Sequence, residues 1–236
     1  MEKKGIKSWA QRTCSWSISA PDKHFLEDVL TQSWAPKKSR AIELGCGTGT
    51  ISRWLTKKGF KVTGIDISKT AIRMAKAQSK GLKIKYINAD FCLIDTKHLG
   101  KHDLCVDGQF LHCITDKKDR KTVLEKIRQI LNPGGIFAVM SMCSPINHKN
   151  FAKAYTNQKI LGDVIYLEAG KYGKFQGLRM IKGKQYIPTR YVAHWKVLLS
   201  ELKKAGFSPM ITQYTKYDKN DPKEPTGYLN VAAIKK

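Results

Sequence analysis

The stretch Ala41-Ile42-Glu43-Leu44-Gly45-Cys46-Gly47-Thr48-Gly49-Thr50 constrains this chain more than any other. A short apolar run, broken only by Glu43, leads into three glycines at alternate positions and then into a helical pattern carrying Ile51, Trp54 and Leu55. Glycine serves where the backbone turns sharply or lies against a ligand, because no Cβ stands in the way. A strand, a glycine loop and a helix N-terminus together make a nucleotide-sized docking point at the edge of a parallel sheet.

The rest of the chain supplies such a sheet. Pro21-Asp22 opens an amphipathic helix with Phe25, Leu26, Val29 and Leu30 at helical spacing. Further strands are predicted at Phe60–Asp66, Leu82–Ile87, His102–Asp107 and Ile136–Met142. A helix capped by Ser68 and another over Asp119–Leu131 fall between them, the second stopped by Asn132-Pro133-Gly134-Gly135. Strand and helix alternating at short spacing imply right-handed crossovers with helices on both faces. The alternation breaks at 144–190, which is rich in Gly, Lys and Tyr and reads as a hairpin-bearing insertion over the site. Its strand candidates are Asp163–Leu167, Leu178–Ile181 and Gln185–Thr189. Helix returns over Tyr191–Lys204, and Phe207–Tyr217 with Gly227–Ile234 closes the chain as an antiparallel hairpin. The expected fold is α/β, a three-layer, doubly wound, mostly parallel seven-stranded sheet with a lid-like insertion. Residues 1–236 read as one domain, with 1–38 an N-terminal arm and helix and 144–190 the substrate lid.

Composition narrows the functional classes. The net charge of +24 admits an RNA, DNA or anionic-membrane partner, but the lysines are spread along the whole chain, as a basic host proteome also produces. Six cysteines occur singly, with no Cys-x-x-Cys pair, which points to free thiols in a reducing compartment and away from a disulfide framework or a zinc site. The longest apolar run, Ile136–Met140, is strand-sized, and no apolar signal region follows Met1-Glu2-Lys3-Lys4. The expectation is a cytoplasmic protein without a transmembrane segment or a metal.

The glycine spacing and four acids discriminate between ligands. Dinucleotide sites use G-x-G-x-x-G and set a helix N-terminus against a pyrophosphate. Here the third position of that pattern is Thr50, and the strand before the loop carries Glu43, which suits a cation better than a diphosphate. Asp66 ends the second strand at the offset where an acid meets ribose hydroxyls. Asp90, followed by Phe91, ends the third strand, and Asp107 ends the fourth. Four acids at four strand ends is an improbable accident in a chain with 19 acids, and favours an adenosyl ligand bearing an ammonium and a sulfonium over NAD.

These motifs, Glu43–Gly49, Gly64–Ser68, Asn88–Phe91, Asp103–Asp107 and Leu131–Phe137, resemble in order and spacing those of class I S-adenosylmethionine-dependent methyltransferases, over about residues 40–142. The resemblance implies a Rossmann-like methyltransferase fold, S-adenosyl-L-methionine as cofactor and S-adenosyl-L-homocysteine as product. It implies that Gly45, Cys46, Gly47 and Gly49 approach the methionyl part and ribose with Glu43 as an anchor. Asp66 would bind the ribose hydroxyls, and Ile67, Asp90 and Phe91 would hold adenine. The backbone at Asp107 would face the methionyl amine, with Gly108 and Gln109 beside the transferring methyl.

The acceptor is less legible, because displacement at a sulfonium needs alignment and a dry site more than a nucleophilic side chain. Leu111-His112-Cys113-Ile114 lies where many small-molecule members carry a Leu-His-His-type sequence, which makes His112 the candidate general base. The absence of Asn-Pro-Pro-Tyr after the fourth strand weighs against methylation of exocyclic base amines. Trp16 in the arm and Tyr172, Arg179, Tyr186 and Arg190 in the insertion are the candidate substrate residues. Aromatics among arginines suit an anionic or planar small molecule, and equally suit single-stranded nucleic acid. A small-molecule acceptor is the leading reading; an RNA or protein acceptor and a non-catalytic cofactor-binding scaffold are the alternatives.

Overall fold

The computed structural model describes residues 20–145, 158–169, 177–216 and 226–236. The arm with Trp16, and Tyr172 in the insertion, lie outside the described residues. The elements in chain order are α1 (Ala20–Thr31), β1 (Arg40–Leu44), α2 (Thr50–Lys57), β2 (Lys61–Asp66), α3 (Lys69–Gln78), β3 (Ile84–Asn88), β4 (His102–Asp107), α4 (Lys117–Ile130), β5 (Leu131–Cys143), β6 (Gln158–Leu161), β7 (Val164–Glu168), β8 (Arg179–Ile181), β9 (Lys184–Tyr191), α5 (Trp195–Lys204), β10 (Phe207–Lys216) and β11 (Gly227–Lys235). Single 3₁₀ turns occupy Thr96–His98 and Leu111–Cys113.

Seven strands form the main sheet in the order β10-β11-β5-β4-β1-β2-β3. Strands β1 to β5 pair in parallel, while β11 runs antiparallel to both β5 and β10. Alternate residues of each strand feed opposite faces. Ile42, Leu44, Cys105, Phe137, Val139 and Val231 pack under α4 and α5. Ala41, Val62, Leu104, Val106, Ala138 and Met140 pack under α1 and α2. Both faces are covered, as parallel sheets require, and the expected seven-stranded three-layer architecture is what forms.

Chain order reverses between β1 and β4, and in open α/β sheets the crevice outside the strand ends at such a switch point is where ligands bind. Leu44 stands opposite Asp107 there, and the amide of Gly108 donates to the Leu44 carbonyl at 3.2 Å.

Local sequence explains most element ends. The Ser68 hydroxyl accepts the Ala71 amide at 3.2 Å and caps α3. Asp116 caps α4 by accepting from Lys118 and Asp119. Helix α4 passes into β5 at Leu131 without a separate loop, so Asn132-Pro133-Gly134-Gly135 ends the helix as expected but already belongs to the strand, with Gly134 at φ 73°. The helix expected over Tyr191–Lys204 begins only at Trp195. Tyr191 instead ends β9, the Val192 amide donates to the Asp163 carbonyl at 2.7 Å, and Ser144 and His194 form a parallel bridge. Helical periodicity in that segment is overridden by strand pairing across the insertion.

The insertion forms its own antiparallel sheet, β6-β7-β9-β8. Its three sequence-predicted strands are present, and β6 joins them. Ile160, Ile165 and Val192 give it a small core that meets Met142 of the main sheet.

Candidate active site

The loop after β1 sits at the switch point with Gly45, Gly47 and Gly49 all at positive φ, 66°, 51° and 80°. A Cβ on Gly45 would come 2.8 Å from that of Phe110, whereas one on Gly47 would meet nothing within 4 Å. The loop is pressed against the protein at its first glycine and open above its second.

One acid braces the loop and a second is buried beside it. Asp66 Oδ2 accepts the Gly47 amide at 2.9 Å, and its Oδ1 accepts the Ser68 amide at 2.8 Å. Glu43 is buried and accepts the Ser52 hydroxyl, and a Cβ on Gly108 would lie 3.0 Å from its Oε1. Burial raises the Glu43 carboxyl to about 8, opposed by the Ser52 hydrogen bonds, and burial also raises that of Asp66. Cys46 anchors its amide on the Ile65 carbonyl at 3.0 Å and packs its side chain with Ile72, Ala75 and Tyr86.

Tyr86 supports the site, although sequence gave no reason to single it out. Tyr86, Gly64 and Glu43 form one cross-strand row, so their side-chain positions share a face. The Tyr86 ring lies across Gly64, where a Cβ would come within 2.9 Å of it, and its hydroxyl reaches under Gly49 and bonds Ser79 at 2.9 Å. The glycine at 64 is thus a packing requirement, and the loop glycine at 49 is partly one.

Just after β3, Asp90 Oδ1 accepts the Cys92 amide at 2.9 Å. Phe91 is buried and meets Phe110 edge-on with centroids 6.1 Å apart. Its ring belongs to the core that the sheet shares with α4. Ile67 gives its carbonyl to the Asn88 side chain at 2.9 Å.

At the end of β4, Asp107 is fully buried. Its Oδ1 accepts the Phe110 amide and, at 3.1 Å, that of Leu111. Its Oδ2 is buried with no hydrogen-bond partner among the described residues, and burial lifts the carboxyl to about 7. Gln109 takes φ 65°, a left-handed conformation that costs a non-glycine residue free energy. Its Nε2 donates to Asp22 Oδ2 of α1 at 3.1 Å, which ties the N-terminal helix to this loop. Sequence patterning placed Asp22 only at a helix start.

His112 and Cys113 follow on the 3₁₀ turn. The His112 imidazole is buried, its Nδ1 accepts the Met142 amide at 3.3 Å, and burial together with the Arg190 and Arg120 charges holds its pKa well below the ordinary value. A neutral imidazole that accepts at Nδ1 carries its proton on Nε2. Cys113 is exposed to solvent on one side yet crowded by protein on the others, and desolvation raises its thiol.

The insertion delivers its candidates unequally. Arg190 lies near enough for its charge to act on both His112 and Cys113. Tyr186 is buried within the second sheet, with Lys159 over its ring at 4.5 Å. Arg179 is exposed, over the ring of Tyr166 at 5.4 Å. Tyr186 and Arg179 therefore stabilise the insertion's own sheet, whereas Arg190 is the one brought to the turn after β4. Among the described residues no group of three or more His, Cys, Asp or Glu side chains is placed to hold a metal, and no helix is long and apolar enough to cross a membrane.

The sequence model of the methyltransferase domain family matches residues 36–202. The chain belongs to the class I S-adenosylmethionine-dependent methyltransferases. Over 178 residues it is 26% identical to the ubiquinone biosynthesis O-methyltransferase of Aromatoleum aromaticum, covering 75% of this chain and 71% of that protein. An uncharacterized methyltransferase of Mycobacterium bovis is 27% identical over 119 residues, which is 50% of this chain and 58% of the relative's length. Among solved structures, a methyltransferase of Clostridium acetobutylicum superposes with TM-score 0.65 at 14% identity, covering 98% of each chain. The N-methyltransferase NodS of Bradyrhizobium japonicum, in complex with S-adenosyl-L-homocysteine, also gives 0.65 at 15% identity, covering 98% of this chain and 97% of that one. At these identities the structural likeness speaks for the fold.

The residues of this methyltransferase fit the cofactor of its family. An adenosyl ligand carrying an ammonium and a sulfonium needs a loop it can lie against, hydroxyl acceptors and buried carboxyl groups that can ionise against it. The open face over Gly47, the Asp66 carboxylate, the buried Glu43 and the orphaned Asp107 Oδ2 supply these. What sequence reasoning missed is the support: Ser52 under Glu43, Tyr86 under the loop, Asp22 on Gln109, and the cations of α4 described below.

Proposed function

We propose that this protein transfers a methyl group from S-adenosyl-L-methionine to a small-molecule acceptor held between the Leu111–Cys113 turn and the end of β9. The observation that carries the reading is convergence. The glycine loop with Glu43 and Asp66 lies on one side of the switch point, and His112, Cys113 and Arg190 lie on the other. When bound, S-adenosyl-L-methionine supplies a methyl group on a sulfonium, already activated for displacement.

The chain's own residues then bind, orient and dry the site. Asp66 accepts the ribose hydroxyls with lone pairs not used on Gly47 and Ser68. Glu43 and Asp107 provide negative charge for the cationic methionyl end. Asp90 and Ile67 border adenine, with Phe91 packing beneath. His112 donates from Nε2 to the acceptor and so orients its lone pair toward the methyl group. Arg190 beside it favours an acceptor with anionic or phenolic character. The ubiquinone biosynthesis O-methyltransferase relative and the 1,6-didemethyltoxoflavin-N1-methyltransferase structural neighbour, both with small acceptors by name, support this class. The net charge of +24 favours a second reading, an RNA acceptor.

The test has two steps. S-adenosyl-L-homocysteine should raise the melting temperature of the protein. Labelled methyl from S-adenosyl-L-methionine should appear in the small-molecule fraction of a metabolite extract and not in total RNA. Transfer to RNA, with binding that weakens steeply with salt, would replace the first reading by the second. Absence of a thermal shift would remove both.

A further inference from the structure

Helix α4 carries two cations, Arg120 and Lys126, that each donate to loop carbonyls. Arg120 is 2% exposed. Its Nη1 donates to the Leu111 carbonyl at 2.6 Å and to that of Ile114 at 3.4 Å. These two carbonyls bracket His112 and Cys113. Two further donors of the fork grip Glu201 of α5, at 2.6 Å from Nη2 and 3.3 Å from Nε, and the guanidinium lies 4.2 Å over the ring of Tyr191. Tyr191 follows Arg190 on β9, so one side chain ties together the turn after β4, α5 and the strand that brings in Arg190. Asp107 holds the beginning of the same turn through Phe110 and Leu111.

Lys126 does the same for the loop after β3. Its Nζ donates to the carbonyls of Phe91 at 3.3 Å, Cys92 at 2.7 Å and Ile94 at 2.8 Å. A lysine ammonium has three donors, and all three are spent on one loop. Six residues of helix separate the two cations, which sets them about 120° apart around the axis. Arg120 therefore lies within the buried stripe of Val123, Leu124 and Ile127, and Lys126 at its rim.

Resting on the reading above for which loop faces which ligand, we propose that α4 positions the two halves of the site independently. Arg120 fixes the acceptor-side turn that carries His112 and Cys113, and Lys126 fixes the adenine-side loop that carries Asp90 and Phe91. Neither side chain touches the reacting atoms; both act through backbone carbonyls. A cation serves at each place because it satisfies several acceptors at once, two carbonyls and the Glu201 carboxylate for Arg120 and three carbonyls for Lys126.

The proposal is tested by a double dissociation in the full chain. The probes are S-adenosyl-L-homocysteine titration by calorimetry and alkylation of Cys113 by iodoacetamide, followed by peptide mass spectrometry. Arg120→Lys should accelerate Cys113 alkylation by about tenfold, as a charged hydrogen bond that closes the turn is lost, while cofactor-product affinity stays within about twofold. Glu201→Gln keeps Arg120 but loosens its grip, and should move alkylation the same way by a smaller factor; it stands in if Arg120→Lys does not fold. Millimolar guanidinium ion should slow alkylation again in Arg120→Ala. Lys126→Met should weaken S-adenosyl-L-homocysteine binding by about tenfold and leave Cys113 alkylation unchanged. Both readouts moving together in either variant, as a merely structural role would give, overturns the proposal, as does no change in either. A wild-type protein that binds no S-adenosyl-L-homocysteine overturns the cofactor reading instead, and the alkylation arm then still decides the role of Arg120.

Discussion

Asp66 Oδ2 accepts the Gly47 amide at 2.9 Å, so the acid that ends β2 holds the glycine loop that ends β1. The residue proposed to bind the ribose is therefore also a strut of the glycine loop. Asp66→Ala should weaken S-adenosyl-L-homocysteine binding by about 1–3 kcal/mol, the range for a lost charged hydrogen-bond partner. Asp66→Asn, which keeps one acceptor for Gly47 or Ser68 but not both, should fall between the two. Calorimetric titration decides, and an unchanged affinity in Asp66→Ala would put the ribose elsewhere.

The contact of Tyr86 with Gly64 gives a prediction about stability. A Cβ on Gly64 would stand 2.9 Å from two ring carbons and 3.0 Å from the Ser52 hydroxyl that serves Glu43. Gly64→Ala should destabilise the fold by about 1–3 kcal/mol through overpacking. In a Tyr86→Ala background the same change should cost less, since the obstructing ring is gone, and urea unfolding of the double-mutant cycle measures the coupling. Additive effects would mean that Gly64 is needed for its backbone alone.

How far this was readable in advance depends on which forces leave local traces. The order of strands and helices was legible because alternate apolar residues such as Ile42 and Leu44, and helical repeats such as Val123, Leu124 and Ile127, mark faces that must be buried. The strand-end acids were legible because a carboxylate closing an apolar strand is unusual. Arg120, Lys126 and Tyr86 left no such trace: each acts on residues outside its own element, at no periodic spacing, and a basic residue in a helix otherwise reads as solvated surface. Tyr191–Ala193 were misread for a related reason, since their pairing with Asp163 and Ser144 depends on where the insertion folds back. The tautomer of His112 likewise depends on Met142, thirty residues away.

The buried acids predict a pH dependence of opposite sign for stability and for ligand binding. Folding raises Glu43 from 4.5 to about 8 and Asp107 from 3.8 to about 7, chiefly by desolvation. The folded state thus binds these protons more tightly than the unfolded state. Their contribution to stability is complete below the unfolded values near pH 4, and is lost as pH rises through the folded ones. A cationic ligand favours the ionised carboxylates, so its binding should release a proton at neutral pH. S-adenosyl-L-methionine affinity should rise by about tenfold from pH 6 to pH 8, and Glu43→Gln should flatten most of that rise. Calorimetry in buffers of different ionisation enthalpy counts the protons. An affinity independent of pH in the wild-type protein would mean that neither carboxyl faces the ligand's charge.

The hydrogen bond from the Met142 amide to His112 Nδ1 makes the last prediction the sharpest about chemistry. A general base at this position would have to lose its bound proton to be active and would give a rate profile falling below its pKa. Here burial and the Arg190 and Arg120 charges hold the imidazole well below its ordinary pKa, and the Met142 amide donates to Nδ1, which leaves Nε2 for the proton of the neutral ring. Turnover with the acceptor found by the labelling experiment should therefore show no inflection near pH 6.5 attributable to His112. His112→Ala should lower kcat by about tenfold, the scale of one orienting hydrogen bond, and should leave S-adenosyl-L-homocysteine affinity unchanged. His112→Gln, whose amide supplies both an acceptor for Met142 and a donor toward the pocket, should recover part of that loss. A loss of a hundredfold or more, with a wild-type inflection that disappears in both variants, would restore the general-base role and require the ring to turn over in the working enzyme.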